Sequence, residues 1–319
     1  LRLNGVVTHE SDIRELVEQL WLMAEELSKP LEVQRTIFKN VVSGISDPKE
    51  WQDCYKRVLT RGLDLVNNHQ LHKLVLAVRQ SIQLEEPLDH IDLLLRLRQQ
   101  QRGSCRFLWQ RINDEVFFGA SPERLLTLRR GRLRSDALAG TASVNDCGKT
   151  LLRSKKDRHE HDLVVASITN QLIKKGLKPV HPRCPQLTRH GHLLHLHTPI
   201  TADVGGYSPL PLANALHPTP AVAGLPRPEA MSWLRTLEPF ERGGYAAPIG
   251  WLDNAGDADL RVAIRCGHSN GRTLHLTAGA GLVRGSIAEK ELKEVGLKLA
   301  VLADQFDLQP KLHSRLSSN

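Results

Sequence analysis

Two short segments each carry a pair of carboxylates three residues apart. Asp157 and Glu160 lie in KKDRHEHDLVV, and Glu291 and Glu294 lie in KELKEVGLKL. On a helix, positions i and i+3 share a face. Two such helices facing each other would present a carboxylate cage, and hard oxygen donors select Mg2+ over zinc. The same pattern also describes two solvated helix faces whose acids pair with Lys156, Lys290, Lys293 and Lys298. Spacing alone leaves both readings open.

Two further residues have types suited to proton transfer. Lys73 opens the apolar run KLVLAV. It is either the marker of a strand edge or a partly buried lysine able to act as a general base. Glu123 in GASPERLL follows a proline at a strand end, either as an exposed turn carboxylate or as a general acid facing a pocket. Two glycine-bearing stretches, ALAGTAS (137–143) and LTAGAGLVRGS (276–286), lack the spacing of a nucleotide loop. They suit close approach of backbone to a ligand and the holding of a carboxylate by free amides. The histidines of HGHLLHLH tempt a zinc reading. In a strand, His190 and His192 face away from His195 and His197, so four ligands cannot converge on one ion.

The elements that must position these groups are legible in outline. Residues 11–66 read as helical, with a helix start at SDPKEW. From Lys73 the texture turns to strands at 73–78, 114–121, 124–140, 192–201, 245–253, 261–269 and 272–283. Asn270-Gly271 signals a hairpin turn, and RRGRLRS at 129–135 reads as another hairpin tip. Helical patterns return at 151–176, 227–238 and 286–306. Strands with inserted helices imply one α+β domain, and SRLSSN reads as a flexible tail at 311–319.

Composition narrows the function classes. The chain has 319 residues, 40% hydrophobic and 24% charged, with a net charge of +8. That is the balance of a folded protein. No apolar run approaches the ~20 residues of a transmembrane helix, so no membrane partner is expected. The positive charge is spread out and lacks interleaved aromatics, which argues against nucleic acid and suits small polyanionic metabolites. The five scattered cysteines and the absence of CxxC fit reduced thiols and a cytoplasmic location.

FFGASPERLL, SDALAGTA, LLRSKKDRHEHDLVV, ALHPTPAVAGLPR, RGGYAAPIGW, RVAIRC, AGAGLVRGS and ELKEVGLKL follow one another in this sequence. In this order they resemble the chorismate-utilising enzymes, from about residue 51 to 308. The resemblance implies two packed, largely antiparallel β-sheets with helices outside. It implies a chorismate-binding catalytic domain at 51–310, preceded at 1–50 by a helical part of a truncated N-terminal region. Ala139 stands where the aminodeoxychorismate branch is expected to carry a nucleophilic lysine. Lys73 matches the water-using members, so the resemblance singles out the isochorismate-forming branch of the quinone-pathway type. A salicylate-forming relative, which adds pyruvate elimination, and a non-catalytic chorismate binder are the alternatives.

The same resemblance implies roles. Glu160 and Glu294 would hold Mg2+, supported by Asp157 and Glu291. Lys73 would be the base and Glu123 the acid. Arg265 and Tyr245 would hold the second substrate carboxylate, and Gly140, Thr141, Gly279, His217 and Lys298 would line the pocket. Chorismate is the expected partner, and a monomer the expected state. One departure is that an arginine usual after the base lysine is replaced by Val78, with Arg79 one place later.

Overall fold

The computed structural model describes residues 12–28, 42–111 and 115–310. The chain divides into two compact units, residues 1–39 and 40–319. In the first, α1 (Ile13–Ser28) is described. The second is built from two mostly antiparallel sheets with helices, as the family resemblance implies. The tail expected at 311–319 lies outside the described residues.

In chain order the second unit contains β1 (Ser43–Ser46), α2 (Pro48–Asn67), β2 (Lys73–Leu84), α3 (His90–Gln100), β3 (Cys105–Gln110), β4 (Val116–Ser121), β5 (Arg124–Arg129) and β6 (Arg132–Ser143). There follow α4 (Gly148–Arg153), α5 (Lys155–Lys174), β7 (Gln186–His190), β8 (Leu193–Asp203), α6 (Pro209–Leu216), β9 (Gly224–Leu225) and α7 (Arg227–Leu237). The last elements are β10 (Pro248–Leu252), β11 (Ala258–Val262), β12 (Cys266–Asn270), β13 (Thr273–Leu282), α8 (Ala288–Ala303) and β14 (Asp307–Pro310).

The first sheet runs β14-β1-β2-β13-β12-β4-β3, with β9 beside β2. The second runs β10-β11-β5-β6-β8-β7. All pairings within them are antiparallel except β1 with β14. The helical reading across 11–66 is therefore interrupted by β1, a strand of four residues too short to show a period.

Helix α2 shows how the layers are fastened. Asp47 caps it by accepting the Lys49 amide at 2.9 Å, and Pro48 supplies a fixed φ at the first turn. Trp51, Tyr55, Leu59, Leu65 and Val66 are buried on one face. Gly62 lies so close to the first sheet that a Cβ would meet Leu76 Cδ1 at 2.6 Å. This stripe, with α8 and α7, packs Leu74, Leu76, Val78, Leu276 and Leu282 from the helix-covered side of the first sheet. A second core gathers β5, β6 and β8 with α5 and α6, through Leu125, Leu133, Val164, Ile168, Ile200 and Leu212.

Two short connections carry the chain directly from a strand of one sheet to a strand of the other. Pro122 and Glu123 link β4 to β5, and residues 263–265 link β11 to β12. The run 261–269, read from sequence as one strand, is thus two strands in different sheets. The crossings lie side by side. The Ala120 amide donates to Arg265 O at 3.0 Å, and the Val262 amide to Glu123 O at 3.1 Å.

Candidate active site

A small cavity of about 40 Å³ lies where both sheets, α5 and α8 meet. Glu123, Gly140, Thr141, Glu160, Tyr245, Arg265, Gly279, Glu294 and Lys298 all line it. A larger cleft of about 480 Å³ adjoins it and shares Thr141 and Glu294. Asp157 and Glu291 line that cleft. Of the residues expected from sequence, Lys73 and His217 line neither. Lys73 lies just behind, covered by Glu160. His217 stays off the cavity, while Thr219, two residues on, reaches Glu123.

Glu123 owes its place to the sheet crossing. It is buried, and the Thr219 hydroxyl donates to its Oε1 at 3.3 Å. Burial pushes its carboxyl up to about 7, against the opposing pull of that hydrogen bond and of Lys73 and Arg265. A carboxyl kept protonated near neutrality is what a general acid requires. Arg265 occupies the neighbouring crossing with φ +51°, a left-handed conformation rare for a non-glycine residue and of a kind concentrated at functional sites. Its burial pushes the guanidinium down, partly offset by Tyr245, Glu294 and Glu123.

Tyr245 is fixed by a network that sequence reading missed. Arg242 lies over its ring at 5.5 Å and bonds Glu238, Val222 O and Val75 O. Glu238 in turn accepts the Ala77 amide at 2.8 Å. Residues 238–245 are thereby tied to β2 beside the cavity.

On the opposite wall, Gly140 sits at a bulge in β6 with φ +74°. The bulge turns its carbonyl and the Thr141 hydroxyl toward His195 Nδ1, each at 3.2 Å. His195 is a further cavity residue that the sequence reading left aside. Its Nε2 is buried without a partner, and burial holds the imidazole well below its ordinary pKa. The Gly191-His192 turn separates β7 from β8, which brings the His190 ring to 6.2 Å from His195. His197 instead pairs with Asp136 at 3.2 Å.

The carboxylate pairs do face each other. The Ser154 hydroxyl caps α5 by accepting the Asp157 amide at 3.2 Å. That start places Asp157 in the first turn and Glu160 one turn on. Glu160 bonds Lys73 Nζ at 2.9 Å, and Glu294 bonds Lys298 Nζ at 2.6 Å. Lys298 also donates to Gly279 O at 2.8 Å. Burial pushes Glu160 up, but Lys73 and Lys156 outweigh it and hold the carboxyl well below its usual range. Glu291 is raised by burial and by Glu294, and its Oε2 is buried without a partner. Asp157 is raised as well, by burial first.

These observations test the fit of a divalent cation. Four hard-oxygen side chains gather here, and one buried carboxylate oxygen is unpartnered. The donor set suits Mg2+. Among the described residues no group of three or more His, Cys, Asp or Glu side chains is placed to hold a metal ion as the side chains stand, since Lys156 Nζ lies among these carboxylates. Arg79 shares the Lys73 face of β2 but bonds Glu241 O at 2.7 Å and lines a different cavity.

Sheets of this topology with a site at their junction define a chorismate-binding fold, and the comparisons agree. Residues 1–307 match the family described as chorismate binding enzyme, and the chain belongs to it. It is 41% identical over 252 residues to the salicylate biosynthesis isochorismate synthase of Pseudomonas aeruginosa, covering 75% of this chain and 52% of that protein. It is 34% identical over 277 residues to isochorismate synthase EntC of Escherichia coli, covering 84% of this chain and 70% of that one. The chain thus spans about half the length of the first relative. The structure of MenF, the menaquinone-specific isochorismate synthase from Escherichia coli, superposes with a TM-score of 0.77 at 27% identity, over 92% of this chain and 68% of the other.

Proposed function

We propose that this chain is an isochorismate synthase, a Mg2+-dependent isomerase that adds water at C2 of chorismate and expels the C4 hydroxyl. The observation that carries the reading is a pair of buried groups suited to opposite proton transfers, one on the wall of the inner cavity and one just behind it. Glu123 is held as an acid, and Lys73 is a fully buried amine with Glu160 as its counter-ion. The names of the similar proteins point to the same reaction.

Lys73, in its neutral form, takes a proton from the water that attacks C2. Glu123 gives its proton to the departing C4 hydroxyl, and the ring double bonds shift between the two events. One water enters and one leaves, so the net change is an isomerisation. Base and acid each contribute about 10²–10⁴-fold in rate. Arg265, beside Tyr245, holds the carboxylate remote from the carboxylate cluster, as a guanidinium fork suits. Glu160 and Glu294, with Asp157 and Glu291 in support, would hold Mg2+, which when bound would neutralise the ring carboxylate. His195, neutral and with Nε2 unpartnered, offers a hydrogen bond to the substrate from the Gly140 wall.

Turnover in ¹⁸O-labelled water tests this chemistry. The expected isochorismate carries one solvent oxygen, on C2. Product without label would contradict water addition. The product would serve quinone synthesis, as the name of the Escherichia coli MenF structure suggests, in the cytoplasm. Among the described residues no helix is long and apolar enough to cross a membrane.

A further inference from the structure

The carboxylate cluster already contains a cation, the ammonium of Lys156. Its Nζ lies 3.0 Å from Glu291 Oε1, 3.3 Å from Glu160 Oε2 and 3.7 Å from Asp157 Oδ1. Three carboxylates from two helices therefore converge on one charge, and that charge bridges α5 to α8. One ammonium does not saturate them, since Glu291 Oε2 stays buried and unpartnered.

Space gives a second, independent observation. The inner cavity of about 40 Å³ is far below the ~300 Å³ of ordinary small-ligand pockets. Lys156 lines the outer cleft of about 480 Å³ and bonds Glu160, which lines the inner cavity. It therefore stands at their boundary. The cleft offers its flexible four-carbon stem a place to go, and Asp146 on the same cleft offers a carboxylate there.

We propose that Lys156 is a tethered counter-ion that fills the divalent cation's place in the unliganded protein and withdraws into the outer cleft when the cation enters. The inference rests on reading the four carboxylates as the cation site. Its consequence is competition. Each cation that binds must break three ion pairs of Lys156, so affinity without substrate is held down, and cation entry also opens the boundary between cleft and cavity.

Mn2+ binding measured calorimetrically without substrate tests this. Removing one positive charge a few ångströms from a divalent cation should strengthen its binding by about tenfold or more. Lys156→Gln is expected to bind Mn2+ that much more tightly than the wild type, and Lys156→Arg is not. Equal or weaker binding by a folded Lys156→Gln protein overturns the inference while leaving the cation site standing. No binding by any of the proteins overturns the cation reading, and the inference with it. A check on the unaltered chain is amine labelling of Lys156 read by mass spectrometry. Labelling should rise on adding Mn2+, and unchanged or reduced labelling overturns the proposal.

Discussion

Replacing Glu123 by glutamine should stabilise the protein at alkaline pH while removing its activity. The carboxyl is 3% exposed and is lifted from 4.5 to about 7, chiefly by burial. An acid with a raised folded pKa holds its proton more tightly in the native state than in the unfolded chain. The contribution of this group to native stability is therefore greatest below 4.5, falls as pH rises through the interval, and carries the whole penalty above about 7. At ~1.4 kcal/mol per pH unit the penalty is roughly 3 kcal/mol. Glutamine keeps the shape and the Thr219 contact and carries no charge. Urea unfolding of both proteins at pH 5 and pH 8.5, compared by midpoint and slope, isolates the effect, because Glu291 titrates in both. The variant should gain roughly 2–3 kcal/mol over wild type between the two pH values and lose about 10²–10⁴-fold in kcat. Wild-type kcat should fall as pH rises past about 7. Parallel stability curves, or near-normal turnover in the variant, would refute the assignment of a buried protonated acid.

Lys73→Met should remove turnover and leave Glu160 buried without its 2.9 Å partner. The loss for such a broken pair is about 3–5 kcal/mol, measured by urea unfolding without metal, and retained activity would remove Lys73 from the base role. At Gly281 a Cβ would run into Glu160 Oε1 and approach Lys73 Cε to 2.9 Å. Gly281→Ala should therefore cut kcat/KM at least ~10-fold with an unchanged circular dichroism spectrum, and unchanged kinetics would show that the pair has slack. Glu294→Ala should raise the Mg2+ concentration for half-maximal activity about tenfold or more, whereas a normal Mg2+ titration would exclude Glu294 as a ligand.

The carboxylate pairs and the strands bearing Lys73, Gly140 and Gly279 were legible because their signals are local: i,i+3 spacing, β-rich runs, small residues in a row. Arg265 could be named only through the family resemblance, and Glu123 stood open between an exposed turn carboxylate and a general acid. Nothing in SPER or AIRC tells that the chain changes sheet there, and 261–269 has the texture of one strand. The break is enforced by pairing with β4 and β5, a long-range effect. His195 was obscured by the histidines around it, and only the bulge at Gly140 shows which of them turns inward. QLTRH in β7 is too polar to read as a strand, and SGIS in β1 too short. CRFLWQ in β3, by contrast, has the aromatic and apolar content that could have revealed it. The Arg242–Glu238 fastening is a tertiary contact with no sequence period.

The most direct test of the central claim is to incubate the purified protein with chorismate, with and without Mg2+, and resolve the products by chromatography while assaying pyruvate. The account predicts isochorismate, formed only with Mg2+ and without pyruvate. Salicylate with stoichiometric pyruvate, or chorismate left unconsumed in the presence of Mg2+, would contradict it.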